Sequence, residues 1–352
     1  MTILALARKE IRELQSYTPC ETAADTIRLN ANESPLAIGS GTRNGLNRYP
    51  ASRPARLTRK LAAFYGVDEK NILVTRGSSE GIDLLIRTFC SAGRDEILLT
   101  PPAFEMYQVY ASIQGAATIH VPLLVDRDFI VDTAALIAAA TENTKLIFLC
   151  SPNNPVGTTV PRAQVLQILK AMTGRSVVVI DEAYIEYSET DSLAALVSEH
   201  ANLVVLRTLS KGLALAGARC GALVGSPELI SLLDRVLAPY AMSSPAVASA
   251  EQALTEERLL QAQASIQLIV AERERLRHEL NKCDAVDRIW PSHANFLFVR
   301  FKHLNRVTVR LADAGILIRT FDDSPMFDRC ARISIGAEPD NDRLLDTIRD
   351  VN

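Results

Sequence analysis

Apolar residues occur in short runs through the first two thirds of the chain, and stretches with helical spacing separate most of these runs. The runs are apolar at successive positions, as in strands that are covered on both faces. Between them lie amphipathic stretches such as "SEGIDLLIRTFCSAG" and "PRAQVLQILKAM". The pattern predicts an α/β fold with a large, mostly parallel seven-stranded sheet. Its strands are expected at 71–75, 96–100, 117–122, 145–150, 176–183, 202–208 and 220–225.

The pattern changes after residue 225. Two long helices are expected first, and Pro245 stands near the start of the second. Three further strands and a final helix then indicate a smaller α+β unit, with the expected elements at 226–240, 246–281, 294–301, 315–320, 331–336 and 339–350. We therefore expect a large domain over 36–240. A second unit would combine an N-terminal arm, 1–35, with a small C-terminal domain, 241–352.

Composition limits the function classes. The chain has 352 residues, of which 48% are apolar and 22% charged, as in an ordinary globular protein with a sizeable core. The net charge of −3 gives no reason to expect nucleic acid or a membrane surface as a partner. The six cysteines form no C-x-x-C pair, and the five histidines are not spaced as metal ligands. Without a signal-peptide pattern or an apolar run of membrane-spanning length, the expected location is the cytoplasm.

Candidate chemistry stands directly after the predicted strands, where open parallel sheets bind their ligands. After the first strand, "RGSSEG" joins a turn glycine to a helix start, whose free N–H groups suit an anion such as a phosphate. Later strands are followed by an amide, a carboxylate, a phenol, a hydroxyl, an ammonium group and a guanidinium. These residues are Ser78, Ser79, Asn154, Asp181, Tyr184, Ser210, Lys211 and Arg219.

Each of these residues taken alone has an ordinary structural explanation. Asn154 can shape its turn, Asp181 can be a cap or an ion-pair partner, and an isolated lysine is usually a solvated surface charge. Their combination at one edge of one sheet is what pyridoxal phosphate requires. The aldehyde of this cofactor needs a lysine for a Schiff base, and its pyridine nitrogen needs a carboxylate. Its phosphate needs amides, hydroxyls and an arginine.

Lys211 fits the central place in such a site. Small residues surround it in "TLSKGLALAGARCG", which lets the chain pack closely against a cofactor. The positive field of Arg219 helps to keep the lysine amine neutral, as a nucleophile and proton shuttle requires. The flat face of the cofactor ring needs an aromatic partner, and "PPAFEMY" after the second strand supplies Phe104.

The motifs "SPNNPVGT", "DEAY" and "SKGLALAGARCG", at these spacings, resemble those of the fold-type-I aminotransferases, which use pyridoxal phosphate. The resemblance covers essentially the whole chain and implies that fold, with its large and small domains. Within this superfamily, "LNANESP" and "NRYP" are similar to the histidinol-phosphate branch. That branch implies transamination between L-histidinol phosphate and 2-oxoglutarate, run with glutamate as the amino donor in histidine biosynthesis.

The resemblance also assigns roles by position. Lys211 would hold the cofactor and move protons, and Asp181 would pair with the pyridine nitrogen. Asn154 and Tyr184 would bind the ring hydroxyl. The cofactor phosphate would be held by the Ser78 and Ser79 amides, Ser210 and Arg219. Tyr49 would reach the phosphate of the neighbouring subunit's cofactor, which implies a homodimer with shared sites.

Substrate roles follow from the same resemblance. Arg332 would bind the α-carboxylate of glutamate, and Arg319 with Tyr17 would bind the phosphate of histidinol phosphate. Asn32 would line the same cleft. One position departs from the branch, which usually has tyrosine as the stacking residue where this chain has Phe104. An alternative alignment would make Tyr107 the stacking residue.

Three other functions remain compatible with the sequence. An aromatic-amino-acid aminotransferase would use the same scaffold, although a phosphate-binding Arg319 argues against it. A decarboxylase of a phosphorylated amino acid is a second alternative, and the motifs fit an aminotransferase better. The third is a non-catalytic binding protein, which the retained Lys211 argues against.

Overall fold

The computed structural model describes residues 3–16, 27–36, 46–321 and 327–351. Its larger sheet has seven strands in the order β1-β7-β6-β5-β4-β2-β3. β7 pairs antiparallel with both of its neighbours, and all other neighbouring pairs are parallel. The strands are β1 (Ile72–Thr75), β2 (Glu96–Leu99), β3 (Ala117–His120), β4 (Thr144–Cys150), β5 (Val177–Asp181), β6 (Leu203–Thr208) and β7 (Gly221–Gly225).

Helices cover both faces of this sheet. Alternation along β5 shows why both faces are apolar, because Val178 and Ile180 enter one core while Val177 and Val179 enter the other. Among the described residues, seven α-helices precede or follow its strands. They are α1 (Lys9–Glu13), α2 (Ala55–Tyr65), α3 (Gly77–Phe89), α4 (Met106–Gln114), α5 (Thr133–Ala139), α6 (Arg162–Ala171) and α7 (Pro227–Asp234).

The second sheet is antiparallel and lies in the C-terminal part of the chain. Its order is β10-β11-β9-β8, and a third apolar core joins it to the last three helices. The elements are α8 (Ser244–Ala253), α9 (Glu256–Leu280), β8 (Val286–Ile289), β9 (Phe296–Phe301), α10 (Leu304–Asp313), β10 (Arg319–Thr320), β11 (Cys330–Ser334) and α11 (Glu338–Arg349).

Three local features differ from the sequence-based expectations. The long helix expected at 246–281 is two helices, because Leu254 ends α8 and Thr255 is the N-cap of α9. β8 was not predicted, since Asp287 and Arg288 interrupt the apolar pattern of this edge strand. β10 has only two residues. The predicted architecture of two sheets is confirmed, whereas the domain limits at 36–240 and 241–352 remain a prediction.

The parallel register brings the chemistry to one edge. Cys150 at the end of β4 pairs with Asp181 at the end of β5, and Asp181 pairs with Leu206 of β6. The residues that follow these strands therefore meet in one cleft, beside the start of α3. Within the described residues, no helix is both long and apolar enough to cross a membrane, and no group of three potential metal ligands occurs.

Candidate active site

Lys211 lies in the loop after β6, with its amine over the Tyr184 ring at 5.7 Å from the centroid. The Tyr187 hydroxyl donates a hydrogen bond of 2.9 Å to the Lys211 carbonyl and fixes the backbone there. Burial lowers the pKa of the Lys211 amine, and the positive charges of Arg332 and Arg219 lower it further. The amine is thus more easily neutral than that of a surface lysine, as acid–base chemistry requires.

Asp181 is the last residue of β5 and is only 3% exposed. Its Oδ1 accepts the Ala183 N–H at 3.1 Å, and its Oδ2 accepts the Tyr107 hydroxyl at 2.7 Å. Burial raises the pKa of this carboxyl, and the two hydrogen bonds oppose that effect. No Lys, Arg or His of the described ranges forms an ion pair with it. The donor set fits a cofactor that brings its own buried, protonated nitrogen.

Asn154 and Tyr184 connect the two sheets through Arg332. The Asn154 amide nitrogen donates to the Tyr184 hydroxyl at 3.3 Å, and both residues are buried. Arg332 of β11 donates to the amide oxygen of Asn154 at 2.5 Å. The donors expected for a ring hydroxyl thus lie together, and a guanidinium from the small sheet reaches them.

The start of α3 and Arg219 form an anion cradle. Gly77 opens the helix with φ +75°, and a Cβ added there would lie 2.8 Å from the Arg219 guanidinium. Glycine therefore allows the arginine to approach the helix N-terminus, where Ser78 and Ser79 follow. The same guanidinium is 3.4 Å from the Ser210 hydroxyl. Among the described residues no carboxylate pairs with Arg219, so this cradle is suited to a phosphate.

Arg319 and Arg332 form a second cationic region on the small sheet, where they are direct partners across β10 and β11. Burial and the nearby Arg319 lower the pKa of Arg332. No carboxylate of the described ranges forms an ion pair with Arg332. Arg319 lies 3.6 Å from the exposed carboxylate of Glu105. Both Arg319 and Phe104 line a cavity of about 430 Å³. Two like charges held side by side are suited to an anionic ligand.

Two other predicted residues, Tyr49 and Asn32, are exposed. Tyr49 is 50% exposed and stacks on Tyr240 at a centroid distance of 4.7 Å. Asn32 is exposed with φ 54°. Within the described part of the chain, neither residue contacts Lys211 or Asp181 by a hydrogen bond or a ring contact. Tyr17 lies outside the described residues.

Comparisons with known proteins agree with this geometry. Residues 6–348 match the family described as aminotransferase class I and II. The histidinol-phosphate aminotransferase of Stenotrophomonas maltophilia is 42% identical, over 97% of this chain and 95% of that protein. The chain belongs to the histidinol-phosphate aminotransferase family. The histidinol-phosphate aminotransferase of Xylella fastidiosa is also 42% identical, over 99% of this chain and 97% of that protein.

A solved structure supports the same placement of the chain among histidinol-phosphate aminotransferases. The enzyme from Sinorhizobium meliloti, in complex with pyridoxal-5'-phosphate, has a TM-score of 0.79 and 26% identity. The match covers 91% of this chain and 89% of that one. The family and the fold predicted from the sequence are therefore confirmed, and the roles of individual residues stay predictions.

Two features of this histidinol-phosphate aminotransferase scaffold were missed by sequence reasoning. Tyr107 was considered only as an alternative stacking residue, yet it is fully buried and its hydroxyl bonds to Asp181. Its position three residues after Phe104, at the start of a helix, was the available signal.

The second missed feature is a buried ionic cluster near the Lys211 loop. Arg207 of β6 pairs with Glu186 at 2.8 Å and with Glu182 at 3.5 Å, and it lies 4.4 Å from the Tyr65 ring centroid. A Cβ added at Gly212 would lie 2.7 Å from Glu186, so this loop packs directly on the cluster. A lone arginine within the apolar run "NLVVLRT" was the signal in the sequence.

Proposed function

We propose that this chain is a pyridoxal-phosphate-dependent aminotransferase that exchanges an amino group between L-histidinol phosphate and 2-oxoglutarate. In the biosynthetic direction, glutamate would supply the amino group to imidazole-acetol phosphate for histidine synthesis. The observation that carries this proposal is one cleft that places Lys211 and Asp181 between two cationic regions. The named relatives at 42% identity support the same reaction.

The fit of the cofactor rests on the donor set. Bound pyridoxal phosphate supplies an electron-withdrawing ring, which stabilises the negative charge left when the substrate loses its α-proton. Asp181 would accept the pyridine N–H, and the cradle at Arg219 would take the phosphate. The full proposed set is Ser78, Ser79, Phe104, Asn154, Asp181, Tyr184, Ser210, Lys211 and Arg219, with Tyr49 from a second subunit.

Lys211 would carry out the proton transfers. Its half-buried amine, with a pKa below the ordinary value, would take the proton from the substrate α-carbon and would later donate it again. Tyr187 holds the backbone of this residue, so the amine is kept at the cleft. Lys211 therefore acts as the general base and then the general acid.

The adjacent arginines would read the charges of the two substrates. Glutamate carries an α-carboxylate, and the planar guanidinium of Arg332 can bind it in a bidentate manner. Histidinol phosphate lacks that carboxylate and carries a phosphate instead, for which Arg319 with Tyr17 is the proposed partner. Asn32 would line the same cleft. Neighbouring positions on β10 and β11 thus let one site accept both substrates.

A homodimer with shared sites is part of the proposal. Tyr49 is half-exposed and its ring stacks on Tyr240, so part of it is free to meet a second subunit. A cavity of about 650 Å³ opens beside Arg219, lined by Met242 and Pro245 among others. A partner subunit that filled this cavity would bring its tyrosine to the cradle. The five described cysteines are free and buried, which agrees with the proposed cytoplasmic location.

Shared sites can be tested by mixing subunits. A mixed dimer of Lys211→Ala and Tyr49→Phe subunits would contain one site with both residues intact, if Tyr49 acts across the interface. We expect that mixed dimers recover about half of the wild-type activity, while the Lys211→Ala homodimer is inactive and the Tyr49→Phe homodimer is impaired. Mixed dimers without this recovery would place Tyr49 in its own subunit.

The substrate assignment is tested by the visible absorption spectrum of the purified protein supplied with pyridoxal phosphate. We expect a yellow band that bleaches at low L-histidinol phosphate and persists with equal L-phenylalanine. Bleaching by phenylalanine or tyrosine alone would support the aromatic alternative. A protein without the band would contradict the assignment of Lys211.

A further inference from the structure

Tyr107 occupies an enclosed position beneath the cleft. It lies in the first turn of α4, fully buried, and its ring stacks on Phe148 of β4 at a centroid distance of 4.8 Å. Phe104 meets its edge at 5.8 Å and an interplanar angle of 88°. Its hydroxyl donates to Asp181 at 2.7 Å. The ring packing alone could be provided by phenylalanine, so the hydroxyl has a separate role.

The surroundings of Asp181 show what that role is. Among the described residues, the Tyr107 hydroxyl is the only side-chain donor to this carboxylate, and the other donor is the Ala183 backbone. The remaining titratable groups nearby are Cys150 of β4 and Tyr184. Burial raises the pKa of both, so both stay neutral and neither supplies a cation to balance the carboxylate. A buried carboxylate without a cation depends on its hydrogen bonds to stay ionised.

The proton of this hydrogen bond stays on the tyrosine. Burial and the charge of Asp181 raise the pKa of Tyr107 well above its ordinary value. The bond therefore joins a neutral phenol to a carboxylate, which is a strong, charge-assisted arrangement. It stabilises the ionised form of Asp181 and restricts rotation of the carboxylate about its own side chain.

We propose that Tyr107 is a positioning residue, whose hydroxyl holds Asp181 ionised and oriented toward the cofactor's pyridine nitrogen. The inference rests on the proposed function. Asp181 would touch the cofactor, and Tyr107 would act through Asp181 without contact of its own. Loss of the hydroxyl would raise the proton affinity of Asp181, so the ring nitrogen would be protonated less completely and the ring would withdraw electrons less strongly.

The test compares Tyr107→Phe with Tyr110→Phe, each loaded with pyridoxal phosphate. Tyr110 lies one turn further along α4, is partly buried, and its hydroxyl makes no hydrogen bond within the described residues. The main measurement is a pH titration of the visible absorbance. A positive ring nitrogen disfavours a second positive charge on the lysine-linked nitrogen, so a weaker ring charge raises the titration midpoint. We expect a rise of about one pH unit in Tyr107→Phe and none in Tyr110→Phe.

Two further measurements separate positioning from a general structural role. The dissociation constant for pyridoxal phosphate should rise roughly ten-fold in Tyr107→Phe, and kcat should fall by a similar factor while KM for histidinol phosphate changes little. The melting temperature of the cofactor-free variant shows whether it folds. If it does not fold, 3-fluorotyrosine at position 107 keeps the packing and is a stronger donor, and its midpoint should lie below that of the wild type.

The outcomes are distinct for the two proposals. A wild-type protein without a visible band contradicts the proposed function itself. A normal wild-type titration together with an unshifted midpoint in Tyr107→Phe overturns the positioning role alone. An unshifted midpoint in a folded 3-fluorotyrosine protein would do the same. Equal shifts in Tyr107→Phe and Tyr110→Phe would also overturn it, because the effect would then come from the helix and not from this bond.

Discussion

The two sides of the cleft differ in how their charges are balanced. On the side of the large sheet, Asp181 accepts one side-chain and one backbone hydrogen bond and is closed off from water. On the side of the small sheet, Arg332 bonds to the neutral amide of Asn154 and pairs with no carboxylate of the described residues, and Arg319 faces an exposed carboxylate. On the first side, hydrogen bonds within the chain already stabilise the charged group. The second side has positive charge available for an incoming anion. The difference separates residues that would hold a permanent cofactor from residues that would bind exchanging substrates.

The largest expected effect concerns the residue between the two sides. Lys211→Ala should lower kcat by roughly four orders of magnitude, because no described neighbour can replace its amine as proton carrier. Binding of pyridoxal phosphate should survive in part, since the cradle and Asp181 remain. Stopped-flow absorbance after addition of histidinol phosphate measures the rate. Lys170→Ala, at an exposed position on α6, is the control, and turnover at the wild-type rate in Lys211→Ala would refute the mechanism.

The stability of the large-sheet side of the cleft should depend on the buried ionic cluster. Glu186→Ala leaves the Arg207 guanidinium without its partner at 2.8 Å, and it should reduce the free energy of unfolding by about 3–5 kcal/mol. Urea denaturation of the cofactor-free protein measures this loss. Glu189→Ala, three residues on and exposed, should change it by less than about 0.5 kcal/mol. Equal losses in the two variants would show that the cluster does not stabilise the fold.

The small-sheet side of the cleft should discriminate between the two substrates. Arg332→Lys keeps the charge and loses the planar fork, so kcat/KM for glutamate should fall roughly 100-fold. The half-reaction with histidinol phosphate should fall much less, because this substrate has no α-carboxylate. Arg319→Gln should show the reverse pattern. Single-turnover absorbance with each substrate tests both variants, and equal losses for both substrates would contradict the division of roles.

The smallest effect is expected at Glu105. Its ion pair with Arg319 spans 3.6 Å between exposed side chains, and such pairs contribute little. Glu105→Gln should therefore lower KM for histidinol phosphate by about two-fold at low salt, because the arginine no longer has a competing carboxylate. The difference should vanish at about 1 M salt. Glu142→Gln at another exposed position is the control, and a rise in KM would show that Glu105 assists the substrate.

The positions of residues on the large-sheet side of the cleft were easier to predict from the sequence than those on the small-sheet side. Asp181 and Lys211 each follow a long apolar run, so the position of each at the sheet edge can be read from the pattern alone. Tyr107 could not be linked to Asp181 in this way, because 74 residues separate them and nothing in the spacing defines which face of α4 is buried. The charged edge strand β8 has a period too weak to predict, and the strand expected at 315–320 forms only as the two-residue β10.

Some features that were not predicted do have a signal in the sequence. The break between α8 and α9 is marked by Thr255 followed by Glu256 and Glu257, which is a helix-start pattern inside a continuous apolar repeat. Tyr49 is different, since its predicted role lies in another subunit, and within the described part of its own chain it contacts Tyr240 and Glu33. No property of a single chain determines what covers an exposed tyrosine.

The place of β5 has a consequence for how long the site stays assembled. This strand is the middle one of seven, and both of its faces lie in apolar cores. Its amide protons can reach solvent only when neighbouring strands separate on either side, so they should exchange at the rate of global unfolding. Asp181, at the end of that strand, therefore shares the kinetic lifetime of the whole folded domain, while the two-residue β10 that carries Arg319 can open and close many times within it.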